Sequence, residues 1–145
     1  MEKMKWSAII SLALGMFLCV CPIPFHISRV YECVRYEEGE QKDEKVQVSI
    51  EGWYYRTLLP GRMNHFKGEI VLSCFPSAEE DDLWVVGLNK KPMEWGQLQY
   101  QSGNCCNLYL EKGFQQFVIS LSGEDYLLYP ADDAADRIEQ IRETF

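Results

Sequence analysis

The sequence predicts a mainly β domain with α additions (α+β): an antiparallel meander of six to eight strands with a C-terminal helix packed on one face, preceded by an N-terminal membrane helix. Three observations carry this expectation. An uncharged run from Trp6 to Phe25 follows Lys3 and Lys5, apolar residues recur with period two from Val46 onward between short turns, and the last dozen residues switch to a helical stripe. The 145 residues amount to one domain, and a content of 47% hydrophobic and 25% charged residues is enough to bury a core. The net charge of −8, from 14 basic and 22 acidic residues, repels phosphate backbones and argues against nucleic acid as a partner.

Residues 1–27 read as a membrane anchor or signal segment. Trp6 to Cys21 precedes Pro22 and spans about 24 Å as a helix, and the apolar stretch continues to Ile27. A cleaved signal needs a small-x-small site, for which Cys19-Val20-Cys21 before Pro22 is a poor candidate; cleavage remains the alternative, with a secreted product. A lipoprotein cysteine would need a small residue before it, whereas Cys19 follows Leu18 and Cys21 follows Val20. A buried core helix is the remaining reading, and the run lacks the polar face such a helix usually has. Residues 1–30 carry +2 and residues 31–145 carry −10. Positive charge before the apolar run keeps the N-terminus in the cytoplasm and sends the acidic body across, which predicts a single-pass cell-membrane protein with an extracytoplasmic C-terminal domain.

Residues 28–45 read as a stem and acidic linker. Ile27, Val30, Tyr31 and Val34 fall at helical spacing, and residues 37–45 contain no hydrophobe, as expected of a solvated spacer. Residues 46–145 form the β domain. Val46, Val48 and Ile50 alternate with polar residues; Phe66, Gly68, Ile70, Leu72 and Cys74 share a face; and five further strand-length runs lie within residues 83–129. Pro60-Gly61, residues 75–77, 89–92 and 102–104, Lys112-Gly113 and Ser122-Gly123 supply the turns, too short for parallel crossovers. Pro130 ends the last strand, Asp132 or Asp133 caps a helix, and Ala134, Ile138, Ile141 and Phe145 form one stripe, with Arg137, Glu139, Gln140 and Glu143 turned outward.

Ile50 to Trp53 (Ile-Glu-Gly-Trp), Phe66 to Ile70 (Phe-Lys-Gly-Glu-Ile) and Tyr126 to Ala131 (Tyr-Leu-Leu-Tyr-Pro-Ala), followed by the short acidic-capped helix, resemble a group of small uncharacterised membrane-anchored proteins of Gram-positive bacteria. The resemblance covers most of residues 46–145. It implies an anchor carrying an extracytoplasmic β domain and brings no catalytic residues. The acidic loop Glu79 to Asp82 and the paired cysteines depart from that pattern.

Few residues are candidates for chemistry. With Cys19 and Cys21 in the apolar run, Cys33, Cys74, Cys105 and Cys106 remain, and a bridge from Cys74 to Cys105 or Cys106 competes with buried free thiols. Adjacent strand residues point to opposite faces, so at most one of the pair faces Cys74. Only His26 and His65 are present, which starves zinc and Ser-His-Asp chemistry, and Glu79 to Asp82 lacks the spacing of a calcium loop. No cofactor, metal or catalytic residue is expected. Trp53, Tyr55, Trp84 and Trp95 are the candidate ligand-contact aromatics, because one helix cannot cover every ring of the sheet and consecutive Trp53, Tyr54 and Tyr55 cannot all point inward. The function expected is that of a membrane-anchored, non-enzymatic interaction module with an envelope protein as partner. A glycan or cell-wall binding module using the strand aromatics is the alternative, and an envelope enzyme the third reading.

Overall fold

The computed structural model describes residues 2–74, 84–91, 93–99, 105–111 and 113–145. It is an antiparallel eight-stranded meander with one helix at each terminus. Helix α1 (Glu2–Val20) carries Glu2, Lys3 and Lys5 in its first turn, is predominantly apolar on every side from Trp6 onward and has no buried residue. Its 19 residues make about 28 Å, and among the described residues it is the one helix long and apolar enough to cross a membrane.

Two residues later the chain enters β1 (Ile23–Glu37), which pairs with β2 (Glu40–Arg56) along almost its whole length. This corrects the expected stem and linker: residues 28–45 are the outer half of a long hairpin, and the β body begins at Ile23, not Val46. The tip is a two-residue turn in which Glu38 (φ 51°) and Gly39 (φ 85°) both take left-handed backbone, the geometry that matches strand twist. The charges of residues 37–45 stay largely at the surface, and two of them pair across strands: Glu44 lies 3.4 Å from Arg35 and Lys45 3.5 Å from Glu32. Next to them, Arg35 Nε and Nη2 donate to the two Asp125 carboxylate oxygens at 3.0 and 2.8 Å.

The remaining strands are β3 (Asn64–Leu72), β4 (Trp84–Leu88), β5 (Glu94–Gln99), β6 (Cys105–Glu111), β7 (Gln116–Ser122) and β8 (Asp125–Tyr129), in the spatial order β4-β3-β2-β1-β8-β7-β6-β5. The two outer strands of that order meet at one end, where Asn89 and Trp95 exchange backbone hydrogen bonds of 2.7 and 2.9 Å. The sheet therefore curls around one interior. A single buried cluster draws on every strand, from Cys33 and Ile50 through Phe66 and Leu88 to Leu98, Leu108, Phe117 and Leu127. Gly52 and Gly68 face each other across β2 and β3, and a methyl on Gly68 would sit 2.2 Å from the Glu51 carbonyl oxygen. Their missing side chains leave room for the Phe66 ring, whose tip is 2.9 Å from both virtual Cβ positions.

Helix α2 (Ala134–Thr144) covers the outer face of β6, β7 and β8, burying Ala134, Ile138 and Ile141 against Tyr109, Val118, Tyr126 and Leu128. The space left beneath it is about 10 Å³, too little for more than one water. Phe145 remains half exposed, although its ring lies against Trp95 and Tyr109. Two details differ from expectation. Asp133 occupies the N-cap with left-handed backbone (φ 55°) and no side-chain cap bond. Arg137 turns inward and donates to the Tyr129 carbonyl at 3.1 Å and to the Pro130 carbonyl, tying the helix to the strand it follows.

Candidate functional site

The feature with the most chemistry is a cleft of about 710 Å³ at the end of the barrel nearest α1. It exists because the seam between β1 and β8 is short. β8 pairs with Val34, Arg35, Tyr36 and Glu37 and then ends at Pro130, which has no N–H to continue the ladder. Cross-strand partners share a face, so Phe25, Ile27, Arg29, Tyr31 and Cys33 point the same way as their β2 partners Tyr54, Gly52, Ile50, Val48 and Val46, all of them buried. Tyr31 and Cys33 reach the core, while Phe25 to Val30 are exposed or only partly buried. The result is an open strand edge of six residues beside a hollow.

The walls of the hollow are mixed. Phe25, Ile27, Tyr31 and Phe114, the last in the short 3-10 turn Gly113–Gln115, give apolar surface. The rings are braced in sequence: Phe25 to Tyr54 at 6.3 Å, Tyr54 to Phe114 at 5.7 Å and Phe114 to Phe66 at 5.3 Å between centroids. Arg29 and Arg56 supply positive charge, and none of the ion pairs among the described residues involves either. Glu94 is the negative group, fixed by the Tyr54 hydroxyl at 2.5 Å and by Asn64 Nδ2 at 3.0 Å. Asn64 is held in turn by the Thr57 amide, which donates to its Oδ1 at 2.8 Å. Burial, then the hydrogen bond to Glu94, raises the Tyr54 pKa far above that of a free phenol. At neutral pH Tyr54 is thus a fixed donor, and the network presents a rigid floor.

Among the described side chains, Trp53, Tyr55 and Trp95 do not come together in one site. Trp53 and Tyr55 lie on the outer wall of β2, opposite in direction to Tyr54, as three consecutive strand residues must. Trp53 meets His26 edge-on at 4.9 Å, and Tyr55 stacks on His65 at 4.6 Å and 12°. Trp95 packs against Phe145 beside α2 and belongs to the helix-sheet interface. The Trp84 backbone lies opposite Gly68, but its side chain is outside the described residues, as is the acidic loop Glu79 to Asp82.

The cysteines also divide. Cys106 is buried in the barrel, and the Cys105 side chain lies outside the described residues. Of the two states the sequence left open, Cys74 takes that of a free thiol, and its thiol neighbour is Cys33 on β1. Burial, with a smaller contribution from Cys74, pushes the Cys33 thiol up to about 12, so it stays protonated and unreactive. Among the described residues no three His, Cys, Asp or Glu side chains gather as metal ligands would. Set against protein-family models, curated proteins and solved structures, the chain matches none of them.

Sequence reasoning missed the cleft because its residues come from four separate segments. One signal was available. Arg29 breaks an otherwise apolar inward series on β1, and a charge on a core-facing position marks a place where the interior is open.

Proposed function

We propose that the chain is a membrane-tethered, extracytoplasmic, non-enzymatic binding module that takes an extended segment of a partner protein onto the open flank of β1. The observation that carries this reading is the pairing of a free six-residue strand edge with an amphipathic cleft. Unpaired backbone amides and carbonyls supply affinity by strand addition, and the cleft supplies selectivity through alternate side chains. Phe25, Ile27 and Phe114 suit apolar side chains, while Arg29 and Arg56 suit acidic ones. Anchoring by α1 holds the module at the membrane and raises its local concentration toward an envelope partner. Lys3 and Lys5 in the first turn of α1, against the acidic body, favour this orientation.

The test is site-specific photo-crosslinking in cells with the full chain. A benzophenone side chain at Ser28, on the open edge, gives a discrete adduct that disappears in Arg29→Glu and in Phe25→Ala. An adduct that persists in both variants, or equal labelling from Glu40 at the far hairpin tip, contradicts the proposal. A second reading, a glycan-binding module, is favoured by the half-exposed Trp53 ring set beside His26 on the outer wall. Under that reading Trp53→Ala abolishes retention on cell-wall polysaccharide while the Ser28 adduct is unchanged.

A further inference from the structure

A second depression, of about 530 Å³, lies at the same end of the barrel between the loop joining β2 to β3 and the loop joining β4 to β5. Leu58 and Met63 line it side by side with its cations and are 53% and 48% exposed. The charged residues on its walls are all cations, Arg62, Lys90 and Lys91. Lys90 is built in: its ammonium donates to the Thr57 carbonyl and hydroxyl at 2.7 Å each and to the Leu59 carbonyl at 3.0 Å. Neutral carbonyls leave its charge uncompensated, and among the described residues no carboxylate pairs with any of the three cations. In a chain of net charge −8 this is a local inversion of sign.

Position gives the inversion a meaning. Arg62 Nη1 lies 3.5 Å from the carbonyl of Val20, the last residue of α1. From Val20 to Ile23 the chain can stretch no more than about 11 Å, three Cα steps of 3.8 Å. With α1 in a bilayer, this end of the barrel is held against the headgroup layer.

We propose that this groove seats the barrel on the bilayer by taking an anionic phospholipid headgroup, with Leu58 and Met63 entering the interface beside it. The inference rests on α1 spanning the membrane, as in the function proposed above, but not on what the β1 flank binds. Apolar side chains flanked by cations are the composition that partitions to anionic interfaces.

The experiment places the full chain in nanodiscs of phosphatidylcholine alone or with one third phosphatidylglycerol, and follows amide hydrogen exchange by mass spectrometry. The expected result is slower exchange of residues 57–63 in the anionic discs, by about fivefold or more, with no change at the hairpin tip around Gly39. Arg62→Gln with Lys91→Gln removes the difference, at about fivefold per cation, the equivalent of about 1 kcal/mol for each charge near an anionic surface. An unaltered melting temperature for that variant shows that the fold survives. Equal exchange in both disc types, or protection that survives the double substitution, overturns the groove while leaving the tether intact. A chain that fails to co-elute with either disc overturns both.

Discussion

The two ends of the barrel are built on opposite plans. At the end far from α1, the turn at Glu38-Gly39 and the turn at Ser122–Asp125 are joined by the Glu38 amide donating to the Glu124 carbonyl, and Arg35 locks both Asp125 and Glu44. Charge there is plentiful, mostly acidic and paired. At the end beside α1, the seam between β1 and β8 is open, large apolar side chains reach solvent, and Arg29, Arg56, Arg62 and Lys91 have no carboxylate partner among the described residues. The far end spends its charges on internal order, whereas the near end leaves backbone edge, apolar surface and positive charge available. On the function proposed above, that difference puts the recognition surface at the end beside α1.

The largest expected effect comes from removing the ring that supports the near end. Phe66 is fully buried over Gly52 and Gly68 and braces Phe114. Phe66→Ala should cost about 3–5 kcal/mol in denaturant unfolding and lose the Ser28 crosslink together with the cleft floor. A cost below about 1 kcal/mol would mean that the ring is not the support described. At the far end, Asp125→Ala leaves the partly buried Arg35 without its bidentate partner. A loss of about 1.5–3 kcal/mol is expected, with crosslinking at Ser28 preserved because the cleft does not use this pair. A stability loss accompanied by loss of the adduct would show the two ends to be coupled.

The last expected effect is a pH dependence shared by both ends. Burial raises the Cys33 thiol from an ordinary 9.0 to about 12 and holds the Tyr54 phenol well above its ordinary 10.0. The unfolded chain gives up these protons at lower pH than the folded one, so stability is intact below about pH 9 and falls as pH rises toward 12. Unfolding midpoints measured from pH 8 to 11 should decline, and Tyr54→Phe should flatten part of the slope. A flat profile would contradict the burial assigned to both groups.

How much of this was written in the sequence depends on local consistency. The strands around Val46 to Ile50 and Phe66 to Leu72 alternate strictly, and their inward residues are those of the core. The α2 stripe is equally plain, since Ala134, Ile138 and Ile141 bury as spaced. β1 was hidden by a coincidence: Ile27, Val30, Tyr31 and Val34 fall at helical intervals, while Arg29 interrupts the true period-two series because it faces the cleft. The turn at Glu38-Gly39 was hidden because Glu rarely takes left-handed backbone. The described aromatic candidates Trp53, Tyr55 and Trp95 do not meet for another reason: strand assignment gives each ring a face, but only the curl of the sheet puts Tyr54 beside Glu94 and moves Trp95 beneath a helix. Local rules broke where the candidate site lies, as expected when a site competes with folding for the same residues.

The central claim is that the flank of β1 is open between Phe25 and Val30 and closed from Val34 onward. Residue-resolved amide hydrogen exchange on the full chain tests it directly. Every second amide from Phe25 to Val30 should exchange nearly as fast as an unstructured peptide, while its neighbours bonded to β2 and the Val34 to Glu37 segment stay protected. Uniform protection from Phe25 to Glu37 would mean that the edge is already paired and that the recognition site assigned to it does not exist.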